Sequence, residues 1–141
     1  MSAATIKFCR SQAISGTQPA DAPRALRAET RHVGTAVIIS VSGEVDASNE
    51  GDWRYLLAEM AATAAPPGPV VVDVRELDFM GCCAFAVLAR EAERCRRRGV
   101  TLRLVSQKPI VARTAAACGL RWLLPIHPTL QRALTRAAKE D

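Results

Sequence analysis

Apolar positions in this chain switch between two rhythms, one of two residues and one of three to four, and the switches mark its elements. Residues 1 to 23 follow neither. They mix Ser, Gln, Gly, Thr, Pro and Ala and end in TQPADAP, the composition of a disordered N-terminal extension. From Arg24, RALRAETRHVG alternates through Leu26, Ala28 and Thr30. TAVIISVSG follows, β-branched and apolar as far as Gly43, and the two predict a hairpin about HVGT. EVDASNEGD is turn-rich, with Ser48 or Asn49 placed to cap a helix from Glu50 to Thr63. That helix aligns Trp53, Leu56, Leu57 and Met60 on one face, and APPGP ends it.

VVVDV is apolar without a break except for its aspartate, as a strand buried on both faces would be. After RELDFM the helical period returns in Ala84, Phe85, Leu88, Ala92 and Cys95, and Gly99 stops it. VTLRLVS predicts a strand with Val100, Leu102 and Leu104 inward. KPIVARTAAACG is a short helix with Pro109 in its first turn and Gly119 after its end. LRWLLPIHP is partly extended, and TLQRALTRAAKED closes as a helix capped by Thr129. Strand–helix alternation in the second half calls for parallel crossovers, and the opening hairpin adds antiparallel pairing. The expected fold is one α/β domain over residues 24–141, a mixed sheet of four to five strands with helices packed against it.

Composition narrows the function. Apolar residues make up 49% of the 141 but aromatics only 4%, too few for a base-stacking platform. No apolar run reaches the ~18–20 residues that span a bilayer, and the first residues lack the core of a secretory signal. A cytoplasmic protein is expected, monomeric or weakly dimeric, without membrane or direct nucleic-acid contact. The net charge of +5 is concentrated: eight of the 19 basic residues lie between Arg90 and Arg113. Arg96 to Arg98 close a helix, where cations complement the dipole, and Glu91 and Glu93 dilute the patch.

The five cysteines, Cys9, Cys82, Cys83, Cys95 and Cys118, include no Cys-x-x-Cys pair, and His32 and His127 lie far from them in sequence. Neither a metal site nor a cofactor is expected. Cys82 and Cys83 stand at a strand-to-helix turn, where a helix N-terminus lowers a thiol pKa. A catalytic cysteine also needs a base and an orienting group, and no motif supplies them, so no enzyme is expected. Gly81 is alone, so no phosphate-binding glycine loop exists. Glu44, Asp46, Asp73 and Asp78 fall at strand ends, where carboxylates cap turns and pin loops.

Three stretches in order carry a family resemblance: VSGEVDASNEGDWRYLLAEM, PVVVDVRELDFMGCCAFAVLAREAERCRRRGVTLRLVS and TAAACGLRWLLPIHPTLQRAL. From Arg24 to Arg136 the chain resembles a STAS domain, the fold of bacterial anti-sigma factor antagonists. Gly43-Glu44-Val45-Asp46 is similar to a family Gly-Glu-Leu-Asp turn, residues 70 to 88 to its strand–loop–helix, and Gly119 to Leu134 to its ending. In that family a kinase-type anti-sigma factor phosphorylates a serine at the loop-to-helix junction. The unmodified antagonist binds that factor and frees the sigma factor, and adding about two negative charges breaks the contact.

The resemblance implies that Cys82 falls on the phosphorylated serine, that Gly81 replaces the aspartate before it, and that Cys83 and Ala84 replace the next two residues. It implies a partner surface of Glu44, Asp46, Ser48, Asp78, Met80 and Phe85, facing an anti-sigma factor or related kinase-like protein. The expected protein is therefore an antagonist-like binding module without the usual serine switch. Two alternatives stand beside it. One is a redox-responsive form using Cys82 with Cys83 or Cys118, and the other a non-switching structural subunit of a larger STAS assembly.

Overall fold

The run that begins at Val70 lies in the middle of a sheet, and the remaining elements are arranged around it. The computed structural model describes residues 5–8, as backbone, and residues 25–135. Six strands lie side by side in sequence order: β1 (Thr5–Phe8), β2 (Arg27–Val33), β3 (Ala36–Val45), β4 (Val70–Met80), β5 (Leu102–Val105) and β6 (Ile126–His127). The first three are antiparallel neighbours, and β3 to β6 run parallel. Parallel neighbours need crossovers. These are α1 (Glu50–Ala61), α2 (Cys82–Arg97) and α3 (Pro109–Ala117), and α4 (Leu130–Thr135) follows β6.

The mixed α/β class and the order of elements are as expected, and two short edge strands bring the sheet to six. One corrects the N-terminal reading. Within the stretch expected to be disordered, Thr5 to Phe8 pair with Arg31 to Ala28. The β-branched and aromatic residues of TIKF suit a strand, and β2 offers an edge of unpaired backbone groups. The rest of that stretch, residues 1–4 and 9–23 with Cys9, lies outside the described residues, as do Arg24 and residues 136–141.

Val70 to Val74 are buried without a break, because both faces of β4 are covered. On one face Val70, Val72 and Val74 join Ile39, Trp53, Leu57, Phe85 and Leu88 in a single core under α1, α2 and α3. On the other, Ile38, Val71 and Val105 pack with Ala133 of α4. Arg103, pointing to that second face, is 2% exposed, and its guanidinium donates to the Ala133 carbonyl at 3.0 Å. A cation there complements the partial negative charge of the helix carbonyls.

The third strand continues two residues past Gly43, its expected stop. Gly43 has φ +101°, and a Cβ on it would lie 2.3 Å from the Ala25 carbonyl oxygen. The chain entering β2 thus occupies the space of any side chain. The β3–β4 register shifts between Ser40 and Ser42 and again between Gly43 and Glu44. Such irregularities re-aim strand ends, and here they lie just before the loops that form the site.

Candidate functional site

Parallel strands send the loops at their C-terminal ends to one edge of the sheet. Val45, the last residue of β3, is in register with Met80, the last of β4. The Gly81 N–H donates to the Val45 carbonyl at 2.9 Å, tying the two loops together. One is the 3-10 turn Ala47–Asn49 and the other leads into α2.

In the first loop Asn49, one of the two expected caps, is the N-cap residue of α1 but makes no side-chain capping bond there, and Asp46 caps the 3-10 turn ahead of it. The turn runs directly into α1, so the first free N–H groups lie earlier in the chain. The Asp46 carboxylate accepts from the Ser48 N–H at 2.9 Å and from its hydroxyl at 2.5 Å. The Asn49 side chain accepts from the Asp46 N–H at 3.0 Å and donates to the Glu44 carbonyl at 2.8 Å. The Ser48 hydroxyl, and after it the Ser48 N–H, hold the Asp46 carboxyl below its ordinary pKa. Asp46 is therefore a charged, exposed-edge group committed to its own turn.

In the second loop Gly81 is the N-cap of α2, with no side chain capping it and no acidic residue in the first turn. Cys82 is exposed, Cys83 half-buried, and Ala84 and Phe85 are buried. The Trp53 indole N–H, fully buried on α1, donates to the Ala84 carbonyl at 3.1 Å. At the other ends of the same helices Arg98 donates to the Ala61 carbonyl at 3.2 Å and the Ala64 carbonyl at 2.7 Å.

Beside this loop an apolar groove of about 120 Å³ opens between the end of β4, the start of α2 and the first turns of α3. Leu77, Met80, Phe85 and Val111 form its walls. Phe79 and Ile110 form its rim and are 53% and 57% exposed. Lys108 also lines it, its ammonium donating to the Leu77 carbonyl.

The expected partner residues thus divide. Asp78, Met80 and Phe85 line the groove, while Glu44 lies at the end of β3 and Asp46 and Ser48 in the turn that follows it. Phe79, Ile110 and Lys108 escaped the sequence reading. A usable signal was present in KPIV: Ile110 and Val111 are neighbours on a short helix, so both cannot face its one buried side.

Cys82, Cys83, Cys95 and Cys118 are all free thiols. Burial, and then the Glu91 carboxylate, push the Cys95 thiol up to about 11, which removes it from the reactive set. Cys118 is exposed but follows α3, whose other end meets the groove. Nine helical residues span ~13 Å, so Cys118 stands beyond the end of α3 remote from its groove-lining first turn. The basic cluster is largely spent on structure: Arg94 pairs with Glu91, Arg96 and Arg97 pair with Glu93, and Arg98 caps α1. Among the described residues no three His, Cys, Asp or Glu side chains converge on a metal site, and no helix is long and apolar enough to cross a membrane.

Comparison with known proteins places this geometry. A family profile described as the STAS domain matches residues 27–133. The chain is 59% identical over 109 residues to Rv2638 of Mycobacterium tuberculosis, named an anti-anti-sigma factor, covering 77% of this chain and 74% of that one. It is 53% identical over 124 residues to the anti-sigma-F factor antagonist RsfA of the same species, covering 88% of this chain and 95% of the relative. Among solved structures, an anti-sigma factor antagonist from Mycobacterium paratuberculosis superposes with a TM-score of 0.72 at 24% identity, over 86% of this chain and 99% of that one.

Proposed function

The chain belongs to the STAS domain family, and from that premise we propose that it is an anti-sigma factor antagonist that binds its partner without the usual serine switch. The observation that carries the reading is the breadth of the likeness to named antagonists, which takes in both site loops and not the sheet alone. The proposed docking surface is the edge where the Asp46 turn, the start of α2 and the apolar groove meet. Its role is binding and not catalysis, on an anti-sigma factor or a related kinase-like protein in the cytoplasm.

The switch position supports a constitutive form. Cys82 is exposed where a kinase could reach it, but a thiol is not the substrate of an ordinary serine kinase. Gly81 adds no carboxylate to the N-terminus of α2. Titration calorimetry of the full chain against an anti-sigma factor of the same organism tests this. Affinity should be the same before and after incubation with ATP. Loss of binding after ATP, with phosphate on Ser48 or another hydroxyl, would overturn the constitutive reading, and no binding in either condition would overturn the antagonist reading.

The exposure of Cys82 at an uncapped helix end favours a second reading, in which oxidation regulates binding. Hydrogen peroxide would convert the thiol to a sulfenic acid, releasing water, and a second peroxide, oxidising it to a sulfinate, would place a negative charge where the family places phosphate. Cys83 and Cys118 are the candidate resolving thiols. Peroxide that weakens partner binding by the wild type but not by Cys82→Ser supports this reading, and an equal response of the two refutes it.

A further inference from the structure

We propose that the groove between β4, α2 and α3 receives one bulky apolar side chain, carried by a protein partner next to a carboxylate. The proposal deepens the partner-binding reading above and rests on it. The volume limits the anchor. About 120 Å³ is slightly below the ~150 Å³ apolar cavity that stays dry and takes up benzene. The space therefore holds a single leucine, isoleucine or phenylalanine side chain and is too small for the face of a helix.

The lining sets the anchor's chemistry. Leu77, Met80, Phe85 and Val111 offer it no strong hydrogen-bonding side chain. The rim residues Phe79 and Ile110 leave about half their surface in water, although the core beneath them is closed.

Charge at the mouth selects the flank. The Lys108 ammonium has three donors, and one goes to the Leu77 carbonyl. Arg113 is exposed three residues after Ile110, on the same face of α3. Neither cation has a carboxylate partner among the described residues. Asp78, the lining carboxylate, already has an interaction of its own within the chain. Within the lining Lys108 and Asp78 balance, and the exposed Arg113 next to it leaves the surrounding surface positive, which an acidic residue beside the anchor complements.

The test uses the full chain with labelled methyl groups, titrated with three blocked dipeptides: N-acetyl-Phe-Glu amide, N-acetyl-Ala-Glu amide and N-acetyl-Phe-Lys amide. Phe-Glu should shift the methyl signals of Leu77, Ile110 and Val111 saturably. Ala-Glu should bind at least about tenfold more weakly, as the loss of a buried phenyl group requires. Phe-Lys should bind about two- to fivefold more weakly, a gap that closes in high salt. The proposal is overturned by equal binding of Phe-Glu and Ala-Glu, by the absence of saturable shifts, or by groove signals that move with protein concentration alone, the mark of a second copy filling it. A parallel titration with the anti-sigma factor separates the two readings. Dipeptide binding without anti-sigma binding sinks the antagonist reading and leaves the groove. Anti-sigma binding to Ile110→Glu at wild-type affinity sinks the groove and leaves the antagonist reading.

Discussion

Gly81→Asp returns to the head of α2 the carboxylate that the family resemblance leads one to expect, and its effect on stability can be worked from the geometry. Gly81 has φ −76° and ψ 173°, extended backbone open to any residue. A Cβ there would lie 3.4 Å from the Phe79 ring and 3.7 Å from the Val45 carbonyl oxygen, ordinary contact with no strain. Removing a glycine from the unfolded chain contributes about 0.4–1 kcal/mol. Aspartate over glycine as N-cap adds a few tenths. Its charge on the helix dipole adds about 0.3–1 kcal/mol, part of it the same interaction as the cap. The variant should be more stable by about 1 kcal/mol at pH 7, a rise in Tm of roughly 3–5 °C for a chain of this size. Only the ionised carboxylate caps, so its folded pKa lies below the unfolded value of ~3.9. The electrostatic part is then present above that pH and lost as the pH falls further, leaving the glycine part. Urea denaturation at pH 7 and pH 2.5 measures both. A variant that is neutral or less stable at pH 7 would refute the reasoning, and would mean that the approach of Phe79 and β3 to Gly81 leaves no room.

The other glycine of the site should respond with the opposite sign: Gly43→Ala, with its Cβ 2.3 Å from the Ala25 carbonyl oxygen at φ +101°, should lose at least about 3 kcal/mol by urea denaturation, about 1–3 of it from the backbone angle alone. A loss under 1 kcal/mol would show that the segment entering β2 yields. Asp46→Ala should cost about 1 kcal/mol at neutral pH. Because Ser48 holds the Asp46 carboxyl low in the fold, that contribution is complete above the unfolded aspartate pKa and vanishes as the pH falls through the folded one, so wild type and variant should converge in acid. Cys95, its thiol pushed up to about 11, should resist a thiol reagent at pH 8 until denaturant is added, while Cys82 and Cys118 react in the native protein. As Cys95 ionises more readily unfolded, stability should decline as the pH rises above ~8.5, and Cys95→Ala should flatten that decline.

The sheet and its crossovers were legible because burial on both faces leaves an unbroken mark such as VVVDV, and because the spacing of Phe85, Leu88, Ala92 and Cys95 puts all four on one face of a helix and scatters them over both faces of a strand. The site was legible only by half. Gly43 to Asp46 and Gly81 to Ala84 are each contiguous, so their order along the chain could be matched to a family pattern. The groove is not contiguous. Phe79 and Ile110 are about thirty residues apart and become neighbours only through the β4–α2–β5–α3 path. The cap was read in part: Asn49 does stand at the N-cap of α1, yet a 3-10 turn ahead of the helix moves free N–H groups back to within reach of Asp46. Arg103 reads as an outward residue of an alternating strand until α4 covers that face.

Trp53 holds α1 to the first turn of α2, and Arg98 holds the far end of α1 to the end of α2. Fastened at both ends, the two helices can neither slide nor splay without breaking a buried bond or exposing their shared core. A signal arriving at Cys82 therefore has no moving part in this layer to drive. A modification at this edge would work as printing does, by altering the charge or shape carried on a rigid face, and a partner would read the result by fitting it or failing to fit.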